Sequence, residues 1–169
     1  MSSNPVRLDP DDYLHEDSLG FLVSKLKGLM MQALDAGLTD LDITAAQGVI
    51  LIRLGREPVS TAAALCRHSG YDTGSMTRMI DRLEDKGFIA RERSTEDRRV
   101  VNLKMTASGQ AMRAEVLKRA CAMMEPRLEG LDQDEFSQLK SLLRRVLDNA
   151  IRLAPNEQGS SDPAEGSGI

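Results

Sequence analysis

Between Thr73 and Arg82 the sequence sets two kinds of residue on opposite sides of a helical period. Met76, Met79, Ile80 and Leu83 fall on one side, while Thr73, Gly74, Ser75, Thr77, Arg78 and Arg82 fall on the other or at its flanks. The second set has the chemistry of nucleic-acid recognition. Arginine pairs bidentately with guanine, hydroxyls bond bases or phosphates, and glycine lets a backbone come close. The N-terminus of such a helix adds a partial positive charge suited to a phosphate. A second constellation, Glu96-Asp97-Arg98-Arg99, lies between two short β-prone runs. A hairpin beside a recognition helix can set an arginine in the narrow minor groove, where negative potential concentrates. Asp97 would be repelled there and instead buttresses a neighbouring arginine. Taken alone, each set also fits an ordinary solvated helix face or charged turn, so the elements around them decide.

A short helix over Thr61–Arg67, capped by Ser60, and a tight Gly70-Tyr71 turn precede the polar face. That geometry lets the next helix protrude. Asp72 caps this helix, Thr73–Lys86, and Gly87 stops it. Phe88–Arg93 and Val100–Met105 are strand candidates around the polar tip Ser94–Arg99, which makes a hairpin. Upstream, the apolar residues from Ser18 to Leu34 recur at helical spacing, with Gly37 just past the end as a C-terminal cap. A second helix runs over Thr44–Leu54 behind Asp42 as N-cap, and its Val49–Ile52 block implies deep burial. Downstream, Thr106 opens a helix that turns Met112, Val116, Ala120, Met123 and Leu128 inward and is disturbed at Pro126. Asp132 caps the last helix, whose stripe runs through Phe136, Leu139, Leu142, Leu143, Val146, Leu147, Ala150 and Ile151.

This order predicts a mainly α protein with a small two- or three-stranded β wing: a winged helix-turn-helix domain plus a helical dimerisation domain. The DNA-binding domain spans 42–105, and the dimerisation region comprises 17–37 and 106–153. A flexible N-terminal arm, 1–16, and a disordered acidic tail, 154–169, flank them. The first helix and the last two have apolar stripes that need cover, and a second copy of the chain is the simplest supplier.

Charge bears on this reading through its location. The chain nets −4, but residues 1–17 net −4 and residues 155–169 net −3, which leaves the body at +3. The acidity lives in the tails, so a low overall pI argues little against a polyanionic partner. With 3% aromatic residues and no Trp, the composition favours helices over sandwiches or barrels. Cys66 and Cys121 have no cysteine or histidine at metal-ligand spacing and read as reduced thiols. His15 and His68 have no motif-linked carboxylate or nucleophile, and no phosphate loop occurs. No catalytic residue, metal or cofactor is therefore assigned. No apolar run approaches the roughly 18 to 20 residues of a membrane span. The N-terminus lacks a signal-peptide layout, so a cytoplasmic protein without membrane contact is expected.

The stretch Thr61–Gly109 resembles the MarR family of bacterial regulators. The likeness rests on the helix-turn-helix followed by Thr77-Arg78-Met79-Ile80-Asp81-Arg82-Leu83-Glu84-Asp85-Lys86-Gly87-Phe88-Ile89. It continues through the wing motif Asp97-Arg98-Arg99 and through Leu103-Lys104-Met105-Thr106-Ala107-Ser108-Gly109, where Met105 stands in the place usually held by Leu. The flanking helix layout extends it over residues 17–153.

The resemblance implies a homodimer of triangular outline, interlocked by the first helix and the last two. It implies recognition helices in successive major grooves of a palindromic operator in double-stranded DNA, with wings in the flanking minor grooves. By motif position, Ser75, Thr77, Arg78 and Arg82 become recognition-helix contacts. Arg99 becomes the wing arginine, Asp97 its salt-bridge partner and Arg98 a nearby phosphate contact. Most relatives are repressors released by a small anionic or phenolic compound, in a cleft between the dimerisation helices and the DNA-binding lobe. Pocket residues do not carry over by motif. The candidates for a small aromatic or phenolic effector are Met30, Met31, Leu34, Gln47, Leu51 and Met79, with Arg67 or His68 for a carboxylate. The competing roles are core packing for the Met and Leu positions and a helix-dipole role for Arg67.

Two other readings stay open. One is a thiol-based redox sensor of the same fold using Cys66, beside positive charge. Some relatives sense oxidants through a cysteine near the first helix, where this chain has none. The other is a winged-helix protein-interaction module without DNA binding, for which Arg98-Arg99 beside Arg78 and Arg82 serve no obvious need.

Overall fold

The computed structural model describes residues 6–13, 16–56, 60–95, 97 and 99–154. The chain divides into two compact units, Met1–Arg127 and Leu128–Ile169. In the first, a single turn, α1 (Pro10–Tyr13), precedes α2 (Leu19–Gly37), α3 (Ala45–Leu54), α4 (Ala62–Ser69) and α5 (Thr73–Asp85). Strands β1 (Ile89–Arg93) and β2 (Val101–Met105) follow, then α6 (Ala107–Met124). The second unit holds α7 (Gln133–Leu153). The protein is thus mainly helical with one two-stranded antiparallel wing. Residues 155–169 of the expected tail lie outside the described residues, as do 1–5 and 14–15 of the expected arm, whose described part includes the turn α1.

Local side chains start most of these helices. Ser18, Thr61, Asp72, Thr106 and Asp132 each accept a hydrogen bond from an amide in the first turn of the helix they precede. Such a cap is worth about 1 kcal/mol over alanine. Two expected caps move. Asp42 does not cap α3; it sits at φ 53°, in the left-handed region, and closes a 3-10 turn, Thr39–Leu41. Thr44 caps α3 instead, because Gln47 at the third helical position returns its Oε1 to the Thr44 amide at 2.9 Å and completes a capping box. Ser60 does not cap α4 either. It forms an isolated β-bridge with Leu103, whose amide donates to the Ser60 carbonyl at 2.7 Å, so the third strand of the wing shrinks to one bridge. Helix α2 also runs past Leu34 through Gly37 and ends at Leu38, which is fully buried. At Pro126 the α-helix gives way to a 3-10 turn, Glu125–Leu128.

One apolar core binds the first unit. Leu38, Ile50, Leu51, Met76, Ile80, Leu83, Leu103 and Val116 are its largest fully buried members, drawn from the end of α2, α3, α5, β2 and α6. Arg119 of α6 ties that helix to the end of α2: it meets both Asp40 oxygens at 2.8 and 2.9 Å and the Gly37 carbonyl at 2.9 Å. Glu115 steadies it at 2.7 Å. The outer residues of α2, Leu19, Leu22, Val23, Leu26 and Leu29, stay exposed. On α7, Leu139, Leu142, Leu143, Val146, Leu147 and Ile151 are exposed as well. Among the described residues, no helix is long and apolar enough to cross a membrane.

Candidate nucleic-acid interface

The helix-turn-helix is α4, a short turn and α5. Gly70 closes α4 at φ 70°, a conformation open to glycine, and sends its N–H to the Cys66 carbonyl at 3.3 Å. Two residues on, Asp72 Oδ1 takes the Ser75 amide at 2.8 Å. Hydrogen bonds from Ser75, side chain first and backbone second, hold the Asp72 carboxyl below its ordinary value. Met76, Ile80 and Leu83 then lock the inner face of α5 into the core. Thr73, Gly74, Thr77, Arg78 and Arg82 lie exposed, and Ser75 is half-buried. Thr77 Oγ1 donates to the Thr73 carbonyl at 2.8 Å, and Arg78 Nη2 reaches Ser75 Oγ at 3.5 Å. Among the described residues, neither Arg78 nor Arg82 is held in an ion pair. Their guanidinium groups remain available to an outside acceptor.

The wing pairs in register from Ile89 opposite Met105 to Arg93 opposite Val101. Arg91 fixes its base to α5 by pairing with Asp81 at 2.5 Å and with Glu84. The Asp81 hydrogen bond, with Glu84 behind it, raises the Arg91 pKa. Alternation along a strand puts Ile89, Arg91 and Arg93 on one face. Arg93 therefore follows Arg91 outward on that face, exposed and near the tip. Sequence reasoning passed over it, since only the pairing register shows which face it shares.

At the tip, Asp97 works on the backbone. Its amide donates to Ser94 Oγ at 3.3 Å, and its Oδ1 accepts the Arg99 amide at 2.9 Å. The Val100 amide closes on the Asp97 carbonyl, also at 2.9 Å. Among the described residues, no ion pair joins Asp97 to the Arg99 guanidinium. Asp97 shapes the turn from which Arg99 projects, exposed. Arg98 lies outside the described residues.

The effector candidates do not gather in one place. Leu34 and Leu51 are core residues, and Gln47 is 3% exposed, its Oε1 spent on the capping box. Met31 and Met79 pack half-buried against the core. Met30 is half-buried and Arg67 exposed; the side chain of His68 lies outside those described. A recess of about 430 Å³ does open between the end of α2, the start of α3 and the last turns of α5. Asp35, Thr44, Gln47, Arg82 and Lys86 line it. Lys86 Nζ is committed to Asp42 Oδ2 at 2.6 Å, whereas Arg82 is in no ion pair among the described residues. Cys66 is half-buried and Cys121 exposed, and both are free thiols.

A sequence model described as MarR family matches residues 43–101. An HTH-type transcriptional repressor of Mycobacterium bovis is 32% identical over 124 residues, covering 72% of this chain and 89% of the relative. Wild-type MarR from E. coli in its apo form has a TM-score of 0.68 and 32% identity, over 76% of this chain and 96% of that one. A cysteine-to-serine variant of the E. coli protein, complexed with operator DNA, also gives a TM-score of 0.68 and 32% identity, over 76% and 93% of the two chains.

Proposed function

This chain belongs to the MarR family of DNA-binding transcriptional regulators, and from that premise we propose that it represses transcription as a homodimer on a palindromic operator. The observation that carries the proposal is the exposed face of α5, where Arg78 and Arg82 are in no ion pair among the described residues, beside a wing that presents Arg99. Ser75, Thr77, Arg78 and Arg82 meet base edges and phosphates in the major groove, and Thr73 and Gly74 let the helix N-terminus approach a phosphate. Arg99 enters the minor groove from a turn that Asp97 preforms, and Arg98 meets a phosphate beside it. The exposed stripes of α2 and α7 supply the dimer contacts. The site of action is the cytoplasm, where the DNA is.

A small aromatic or phenolic anion releases the operator. Arg82 supports this part, since it lines the α2–α3–α5 recess and also belongs to the proposed DNA face. An anion held there draws off the guanidinium that a phosphate needs, and the two binding events then oppose each other. The test is fluorescence anisotropy on DNA from upstream of the chain's own gene. Binding should be tighter than to random DNA of equal length and should weaken on adding aromatic acids. Equal affinity for both DNAs would overturn operator recognition.

A further inference from the structure

Building on the homodimer and palindromic operator proposed above, we infer that Thr106, Ser108 and Gly109 are positioning residues for DNA reading. With Gly87 and Phe88 they form the joint that sets the tilt of the recognition helix α5 against α6. That tilt decides which spacing of half-sites the protein accepts.

The joint begins where α5 ends. Gly87, at φ 71°, turns the chain; its amide returns to the Glu84 carbonyl at 2.7 Å and the Phe88 amide to the Leu83 carbonyl at 2.9 Å. The Gly87 carbonyl then takes two hydroxyls from the start of α6, Thr106 Oγ1 at 2.6 Å and Ser108 Oγ at 2.7 Å. A carbonyl oxygen has two lone pairs, so both are used. One residue on, the Phe88 carbonyl accepts the Thr106 amide at 3.1 Å. Thr106 Oγ1 also takes the Gly109 amide at 3.0 Å, so one side chain caps α6 and binds it to the end of α5. Gly109 is buried, and a Cβ there would overlap the Phe88 carbonyl oxygen. That obstacle is backbone and cannot swing aside as a side chain would.

A second tie leads to the same helix. Lys86 donates to the Asp42 carbonyl and, at 2.6 Å, to Asp42 Oδ2. Asp40, two residues earlier, is held by Arg119 of α6. By contrast, among the described residues the polar bonds of side chains 73–78 stay within α5 and its cap. A helix tied down at one end and only packed at the other tilts about its tied end. Ser75 lies twelve residues from Gly87. At 1.5 Å per residue that is about 18 Å, so a tilt of about 10° carries it about 3 Å, close to the ~3.4 Å of one base-pair step. The wing swings with α5, because Arg91 pairs with Asp81 and Glu84.

Two measurements on the full chain test the joint. Spin labels on Thr73→Cys and Lys118→Cys, in a Cys66→Ser, Cys121→Ser background diluted with unlabelled protein, report the distance from the head of α5 to α6 without DNA. The parent should give one narrow distribution. Gly109→Ala should shift it, while Ser108→Ala and Thr106→Val should broaden it. Thr106→Ser, which keeps the hydroxyl, should restore it. Ser108 is exposed, so Ser108→Ala should lower the melting temperature by only a few degrees. Anisotropy titrations then compare the operator with copies lengthened or shortened by one base pair between half-sites. The parent should lose about tenfold or more on altered spacing, and Ser108→Ala and Thr106→Val less than about threefold, with affinity for a single half-site unchanged. A merely unstable fold would weaken every DNA alike and spare that ratio. Parental distances in both Ser108→Ala and Thr106→Val, or a parental spacing penalty in both, would overturn the joint. A parent with no spacing penalty would instead overturn the palindromic operator, and the spin-label distances then decide the joint by themselves.

Discussion

A guanidinium reads a base or a phosphate only when no carboxylate already holds it, and this chain sorts its arginines by that rule. Arg91 and Arg119 are spent inside the protein, on Asp81 and Glu84 and on Asp40 and Glu115. Arg78, Arg82, Arg93 and Arg99 are exposed and, among the described residues, in no ion pair. Arg78→Ala and Arg99→Ala should each cost about 1–3 kcal/mol of operator binding, and Arg78→Ala should also relax sequence preference. Anisotropy titrations on the operator and on point-mutated copies measure both effects; full affinity in the two variants would remove these contacts. Arg93 gives a different signature. Exposed near the hairpin tip, on the face that Arg91 shares, it is suited to a phosphate rather than a base edge. Arg93→Ala should weaken all sequences alike and flatten the salt dependence by about one counterion. An unchanged slope against salt would place Arg93 off the DNA. The outward face of α5 was legible because Asp72 and the apolar period fix which side turns away. What Asp97 does was not, because its acceptor role toward the Arg99 amide follows from turn geometry that residue types do not specify.

At the scale of elements, the sequence carried the helices and blurred their joints. Thr44 and Asp42 both have the chemistry of an N-cap, and only the reciprocal Gln47 bond selects Thr44. Ser60 and Thr61 pose the same choice. It is settled by Leu103, a residue distant in sequence that takes Ser60 into a β-bridge. The Arg119 clamp was half visible: Glu115 and Arg119 lie one helical turn apart, a pairing any sequence displays. Asp40, its stronger partner, arrives from another element. This clamp carries a pH signature. The Arg119 hydrogen bond, ahead of every other cause, holds the carboxyls of Asp40 and Glu115 below their ordinary values. Their stabilisation is thus fully present above the ordinary carboxylate range and is lost as pH falls through the depressed folded values. Melting temperature should fall with acidification from pH ~5 downward, and less steeply in Arg119→Met, which has no bond left to lose. Parallel pH profiles for the two proteins would show that the clamp adds nothing to stability.

The whole molecule poses a question of covered surface. Apolar side chains spaced one turn apart stay exposed on α2 and, separately, on α7, where no residue is buried. An isolated chain with two such stripes keeps more apolar patch in water than soluble monomers tolerate. The stripes were legible from periodicity alone, because a repeat of 3.6 shows up without knowing the partner; what covers them was not, since periodicity is silent on who supplies the other face. A second copy would answer both stripes at once, and its two-fold symmetry is the reason the proposed operator is a palindrome. Leu26→Asp on α2 and Leu143→Asp on α7 discriminate well here. Both positions are exposed in the single chain, so in a monomer each change should alter stability by only about 0.5 kcal/mol. In a dimer they bury a carboxylate against an apolar face. Light scattering should then show the parent as a dimer and each variant shifted to monomer, with operator affinity falling as the second half-site is lost. A parent that runs as a monomer at micromolar concentration would leave the stripes to some other partner and remove the reason for a palindrome.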